Sequence, residues 1–342
     1  MKTNLKDLTK KELEQYLEEL GERKFRAKQI FSRIYKGADC FEDMTDLPKD
    51  LRNRLSGRAE LEMLKILRVQ SSEKDGTRKY LFGLKDGNSI ESVLMKYRFG
   101  NTVCISSQAG CRMGCSFCAS GLGGLQRNLT AGEMADQILS IQKDTGEKVG
   151  NIVVMGTGEP LDNYENLCRF LEIVHDKDGL NIGMRNITVS TCGLIPKMRE
   201  IAKDFPQINL AVSLHAPNDV IRNRMMPIGK RYPMDELLAA CKRHTELTGR
   251  RITFEYALVK GLNDSDKNAE ELAARLRGMN CHVNLIPLNR VAETGLHGTE
   301  RSDAKRFRDI LEQRGIRVTV RRELGGDIDA ACGQLRLKNN AK

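Results

Sequence analysis

Three cysteines, Cys111, Cys115 and Cys118, fall in the run GCRMGCSFCAS, spaced by three and then two residues on a glycine-containing loop. Thiolates are soft ligands suited to zinc or to iron–sulfur clusters, and three of them can hold three irons of a [4Fe–4S] cube while the fourth stays open. A closed zinc site wants a fourth ligand. No histidine lies between Cys118 and His175 to provide one, so zinc remains the less favoured alternative. A ferredoxin loop spaces its cysteines by two residues and supplies a fourth, which this run does not.

Other residues able to do chemistry stand at the ends of short apolar runs. Gly158 and Glu159 follow NIVVM, Ser190 ends NITVS, Ser213 and His215 end NLAVSLH, and Asn289 ends HVNLIPLN. Taken alone, His215 reads equally as a core or strand-end histidine. Glu91, in SIES, reads as an acid/base candidate at a strand end or as a surface carboxylate. Two further cysteines, Cys104 in TVCISS and Cys332 in DAACGQ, lie outside the cluster run. Cys40, Cys168, Cys192, Cys241 and Cys281 have no motif partner and are expected to be buried or inert. Met225, Met226 and Pro227 read as core packing or as a substrate loop.

These residues need elements that bring strand ends together. From Thr102 onward, apolar strands alternate with amphipathic helices such as TAGEMADQILSIQKD and DELLAACKRHTELTG, the pattern of a parallel sheet. TVCISS, NIVVM, NITVS, NLAVSLH, RITFEYALV and HVNLIPLN make six units, with IRVTVRREL as one further strand. The fold class is therefore α/β, a partial (β/α)6 barrel over residues 102–338, whose chemistry gathers where strands end. Residues 66–101 alternate as antiparallel strands around Lys74-Asp75-Gly76 and Lys85-Asp86-Gly87, a β-rich bridge. Residues 1–65 read as a small helical accessory domain, with a Leu8/Leu17/Leu20 face and then Phe25, Ile30, Phe31, Ile34 and Tyr35 at helical spacing. Arg23, Lys24, Arg26, Lys28, Arg33 and Lys36 make the second helix basic, either an RNA-backbone contact or a solvated face.

The 342 residues carry 56 Lys and Arg against 46 Asp and Glu, an excess of +10, which favours a polyanionic partner without requiring one. The first twenty residues lack the apolar core of a signal peptide, and no run is long enough to span a bilayer. A cytoplasmic protein without a membrane partner is expected. In that reducing compartment ten cysteines do not make a disulfide framework.

The x3-then-x2 spacing of Cys111, Cys115 and Cys118, with Phe117 between the last two, resembles the radical S-adenosylmethionine (SAM) superfamily, and Gly158-Glu159-Pro160 resembles its glycine-glutamate motif. The runs CISSQAGCRMGCSFCAS, VVMGTGEPLDN, VSTCGLIP, AVSLHAPND and GDIDAACGQL together resemble the RlmN family of adenine-C2 methyltransferases across essentially residues 1–338. That resemblance implies a [4Fe–4S] cluster on the three cysteines, with SAM held by Gly158, Glu159, Ser190, Ser213, Leu214, His215 and Asn289. It implies that one SAM methylates Cys332 and that a second, cleaved reductively, supplies a radical that takes hydrogen from the S-methyl group. Cys104 is implied to resolve the resulting protein–RNA crosslink by forming a disulfide with Cys332, and Glu91 to handle protons. The implied partners are 23S rRNA, certain tRNAs and a flavodoxin or ferredoxin-type electron donor, with the chain a monomer. The Cfr type, which methylates carbon 8 of the same adenine, shares most of these motifs. A non-catalytic iron–sulfur RNA-binding protein accounts for the charge and the cluster run but not for Cys104 and Cys332, and a radical activase leaves the basic helix without a task.

Overall fold

A computed structural model describes residues 2–287, 295–321 and 324–328. The chain opens on a short strand, β1 (Thr3–Asn4), and helix α1 (Lys10–Glu19) begins where Thr9 and Glu12 cap each other reciprocally. That box satisfies two otherwise orphaned N–H groups. The buried face is Leu5, Leu13 and Leu17, whereas Leu8 and Leu20 are only partly buried. The expected Leu8/Leu17/Leu20 face is thus shifted, because the helix starts after Thr9. Helices α2 (Phe25–Tyr35) and α3 (Lys49–Arg58) follow, then β2 (Ala59–Glu60), which pairs in parallel with β1. Ile30, Phe31, Ile34 and Tyr35 are buried, but Phe25 is half exposed under the Arg26 guanidinium.

Three antiparallel strands, β3 (Lys65–Ser71), β4 (Arg78–Gly83) and β5 (Ser89–Tyr97), lead into β6 (Gly100–Ile105). The turns between them contain Gly76 and Gly87 at positive φ, at the expected places. A hairpin of β7 (Gln108–Gly110) and β8 (Leu125–Asn128) frames the cysteine loop and runs into α4 (Ala131–Thr145). Six crossovers then build the parallel part: β9 (Asn151–Val154), α5 (Tyr164–His175), β10 (Ile187–Thr191), α6 (Ile195–Asp204), β11 (Asn209–Ser213), α7 (Asp219–Met225), α8 (Met234–Thr248), β12 (Ile252–Leu258), α9 (Asp266–Leu276), β13 (Cys281–Pro287), α10 (Arg301–Gln313) and β14 (Val318–Val320).

One ten-stranded sheet results, in the order β14-β13-β12-β11-β10-β9-β6-β5-β4-β3. From β6 to β14 every pair is parallel and in chain order, the arrangement expected of a partial (β/α)6 barrel with one further strand, although that last strand is only three residues long. The strands read as apolar runs because helices cover them. The bridge strands continue the same sheet through the β5–β6 pair. The N-terminal module docks on the helix that follows the cysteine loop: Lys6 pairs with Asp136 in a buried contact of 2.5 Å, Leu64 N–H donates to Asp136, and Gly132 N–H in the first turn of α4 donates to Asp7. Among the described residues no helix is long and apolar enough to cross a membrane.

Candidate active site

The cysteine loop is held from three sides. Cys111 N–H donates to Gly124 O at 3.0 Å, Cys118 N–H to Cys115 O at 3.1 Å, and Ser116 N–H to Met225 O on α7 at 2.9 Å. Gly110 has φ +81°, and a Cβ there would sit 2.0 Å from Gly124 O, so the approach of the two loop ends requires glycine. Met225 and Met226 are buried and pack with Met113, Cys115 and Phe117, and Met226 also borders the cavity beside the cysteine loop.

The three thiols border a cavity of about 1210 Å³ whose wall also includes Cys104, Gly158, Glu159, Ser190, Ser213 and His215. Parallel strands deliver these groups to one place: Glu159 from the loop after β9, Ser190 from β10, Ser213 and His215 from the end of β11. Gly158, at φ +110°, lies so close to Gln108 that a Cβ would fall 2.6 Å from that side chain. Gln108 in turn accepts the Glu159 N–H at 2.8 Å. The Glu159 carboxylate is buried and accepts N–H bonds from Cys192 at 2.7 Å and Leu161 at 3.0 Å. Burial raises its pKa against those bonds.

His215 adopts φ +55°, uncommon outside glycine. Its Nδ1 accepts the Ala257 N–H at 2.9 Å, and its carbonyl accepts from Asn263 Nδ2 at 2.7 Å. Burial, reinforced by the Arg222 charge, lowers its pKa to about 3. The ring is therefore neutral, with Nε2 as its donor, and its plane meets Phe117 edge-on at 4.8 Å between centroids.

Cys104 lies on β6 directly opposite Val93 of β5, so both point to the cavity. Glu91, two residues along β5, shares that face and borders a gap of about 10 Å³ with Cys104, Gly156 and Thr157. It is neither at a strand end nor on the surface. It is the third residue of β5, buried, and paired with the equally buried Lys79 at 2.9 Å. Leu214 is fully buried and does not border the cavity; its N–H donates to Glu255 O at 3.0 Å. Asn289 and Cys332 lie outside the described residues. No disulfide joins two described cysteines.

Several participants were not anticipated. Cys192 is buried, as expected, but it also borders the cavity, and its backbone supplies the N–H bound by Glu159. Cys40 is exposed. Asn263, fully buried, ties His215, Ala257 and Val259 together, and Glu255 lines the cavity beside its partner Asn284 at 2.8 Å. The alternation of β12 marked Glu255 as a sheet-facing acid; nothing local marked Asn263.

The donor set fits an iron–sulfur group. The three thiols are partly exposed at the cavity, on a loop with no carboxylate or imidazole of its own. Burial, together with the charges of Cys118 and Glu159, pushes Cys111 up to about 11, and burial raises Cys115 further. Ligation requires their thiolates, so loading a metal group here must release the thiol protons. Among the described residues no three His, Cys, Asp or Glu groups converge on a single metal ion, whereas thiols bound to separate irons of a cubane stand farther apart than thiols sharing one ion.

Comparison with known proteins agrees with this geometry. Residues 3–61 match the ribosomal RNA large subunit methyltransferase N-terminal domain, and residues 105–273 match the radical SAM superfamily. The chain is 54% identical over 342 residues to a probable dual-specificity RNA methyltransferase RlmN of Desulforamulus reducens, covering 100% of this chain and 98% of that one. It is 55% identical over 338 residues to the protein of the same description from Alkaliphilus oremlandii, covering 99% and 98%. The crystal structure of a radical SAM methyltransferase from Sphaerobacter thermophilus superposes with a TM-score of 0.92 at 49% identity, covering 97% of this chain and 98% of that one. The chain belongs to the RlmN family of radical SAM RNA methyltransferases.

Proposed function

We propose that the protein methylates carbon 2 of a specific adenosine in 23S rRNA and in certain tRNAs, passing the methyl group through Cys332. The observation that carries this reading is Cys104: a second thiol that borders the same cavity as the cluster cysteines without belonging to their loop. A binding protein or a radical activase has no use for it.

Carbon 2 of adenine is electron-poor and does not attack a sulfonium methyl directly, so a carrier and a radical route are needed. Cys111, Cys115 and Cys118 would hold the [4Fe–4S] cluster, and Glu159, Ser190, Ser213, His215 and Asn289, with the Gly158 backbone, would hold SAM, while Leu214, behind the cavity wall, would keep Ser213 and His215 in place. When bound, the pair supplies one-electron cleavage of SAM to a hydrogen-abstracting carbon radical. Cys332 would accept a methyl group by displacement, lose one hydrogen atom from it to that carbon radical, and bond through the resulting methylene radical to carbon 2, the adduct's unpaired electron passing back to the iron–sulfur group. Glu91 takes the proton from carbon 2. The Cys104 thiol then attacks the Cys332 sulfur, the carbon–sulfur bond breaks to leave the methylated base, and the two sulfurs remain as a disulfide for cellular thiols to reduce.

In this reading residues 1–65 form an RNA-contacting module, 66–101 a bridge and 102–338 the catalytic unit of a cytoplasmic monomer fed by a flavodoxin or ferredoxin-type donor. On and beside α2, Lys24, Lys28 and Arg33 already pair with Glu18, Asp178 and Asp46, so Arg23 and Lys36, which flank the helix, are the better phosphate contacts. Digested RNA from cells with and without the gene is compared by mass spectrometry. Loss of 2-methyladenosine supports the proposal, unchanged 2-methyladenosine sinks it, and 8-methyladenosine in its place indicates the Cfr-type reaction.

A further inference from the structure

Behind the cysteine loop lies a buried cation. Arg222, on α7, is completely buried. Its guanidinium meets carbonyls: Nη2 donates to Cys192 O at 2.8 Å and Nη1 to Tyr232 O at 3.2 Å, while Nε has no hydrogen-bond partner among the described residues. Two glycines make room for it. A Cβ on Gly229 would lie 3.0 Å from Nη1, and one on Gly193 would lie 3.4 Å from Nη2.

A guanidinium does not deprotonate in proteins, and a buried charge neutralised only by peptide dipoles is costly unless an anion lies nearby. The neighbourhood supplies candidates. The peptide of Cys192 stands between Arg222 and Glu159: its carbonyl accepts from the guanidinium and its N–H donates to the carboxylate at 2.7 Å. The same helix holds the cysteine loop through the Ser116 N–H to Met225 O bond. The Cys192 sulfur, the Asp219 carboxylate on its own helix, and the Cys115 and Cys241 sulfurs lie within electrostatic reach of the Arg222 charge, the sulfurs carrying negative charge only when ionised or ligated.

We infer that Arg222 is the counter-charge of the cysteine loop, a positioning residue whose guanidinium makes the iron–sulfur group held by Cys111, Cys115 and Cys118 easier to reduce. The inference rests on the cluster reading above. Reduction by an external low-potential donor adds one electron and makes the group more negative by one charge. A fixed cation in a low-dielectric site therefore stabilises the reduced form more than the oxidised one.

The reconstituted full-length protein is titrated anaerobically with dithionite and mediator dyes, and the reduced-cluster signal is followed by electron paramagnetic resonance. Arg222→Gln is expected to lower the midpoint potential, and Arg222→Lys, which keeps the charge, to stay near the parent. Asp219→Asn keeps an acceptor for the Met234 N–H, which Asp219 now binds at 2.8 Å, and is expected to raise the potential. An unchanged potential in Arg222→Gln at full iron content overturns the inference, as do equal shifts in the Gln and Lys variants. Should Arg222→Gln load no iron, Asp219→Asn decides: a raised potential supports the inference, and an unchanged or lowered one overturns it. A parent chain that itself loads no iron removes the cluster reading, a failure distinct from a loaded chain indifferent to Arg222.

Discussion

Lys79 Nζ stands 2.9 Å from Glu91 Oε2, on neighbouring strands, with both side chains buried. Removing one partner of such a pair costs about 3–5 kcal/mol, whereas replacing both with apolar groups is often neutral. Lys79→Met should therefore lower the melting temperature sharply, and Lys79→Met with Glu91→Met should recover most of it. Methylation should stay absent in the double variant if Glu91 handles protons. Recovery of activity along with stability would show that the pair is structural only.

The raised thiol pKa of the cysteine loop predicts how the apo-protein takes up iron. Burial and neighbouring charge place Cys111 at about 11, so its thiolate is scarce at neutral pH and becomes commoner as pH rises. Iron and sulfide loading, followed by absorbance, should accelerate from about pH 7 to about pH 9, since ligation releases the thiol protons. Alanine at Cys111, Cys115 or Cys118 should abolish loading. A pH-independent rate would contradict the assignment of these thiols as the rate-setting ligands.

Much of this architecture was legible beforehand. The parallel strands announced themselves as apolar runs because helices cover one face and the other turns inward around the cavity, and the polar residues closing them converge as strand-end loops must. What escaped was pairing across elements. Glu91 read as an acid/base candidate or a surface carboxylate, and its ion pair with Lys79 was not foreseen because Lys79 sits on the adjacent strand and periodicity within one strand carries no information about a cross-strand partner. The burial of Arg222 was equally illegible, because it depends on Gly193 and Gly229, brought in from other segments. The Leu8 register failed on a local signal that was present, the Thr9/Glu12 capping box.

Asp75 ties the turn between β3 and β4 to the far end of the described chain, accepting the Gly325 N–H at 2.8 Å, while the Ser72 hydroxyl and the Glu73 N–H donate to Asp327. Burial works to raise the Asp75 pKa, but the Gly325 and Thr77 bonds outweigh it and hold it at about 2. The folded pKa is depressed, so the contact is fully present above the unfolded value of 3.8 and is lost as pH falls through about 2. At neutral pH, Asp75→Ala should speed proteolysis after Leu324 and reduce methylation several-fold while barely moving the melting temperature. Full activity with faster cleavage would separate this tether from catalysis.

Two histidines predict acid sensitivity. Burial, with Arg222, lowers His215 to about 3, and burial, with Arg250, lowers His244 to about 4. The unfolded chain binds their protons first, so stability is full above the unfolded value of 6.5 and declines as pH falls towards these folded values. Neither ring nitrogen of His244 has a hydrogen-bond partner among the described residues. His244→Met should therefore raise the melting temperature at about pH 5 and flatten its pH dependence. An equal loss of stability at both neutral and acid pH would contradict this.

The most direct test of the central claim is a single reaction. The protein is reconstituted anaerobically with iron and sulfide, then given reductant, an rRNA fragment and methyl-deuterated SAM, and both the nucleosides and the Cys332 peptide are read by mass spectrometry. Labelled 2-methyladenosine together with a labelled methyl group on Cys332 is the predicted result. A loaded cluster that cleaves SAM while Cys332 stays unmodified and the RNA unmethylated at carbon 2 would contradict it.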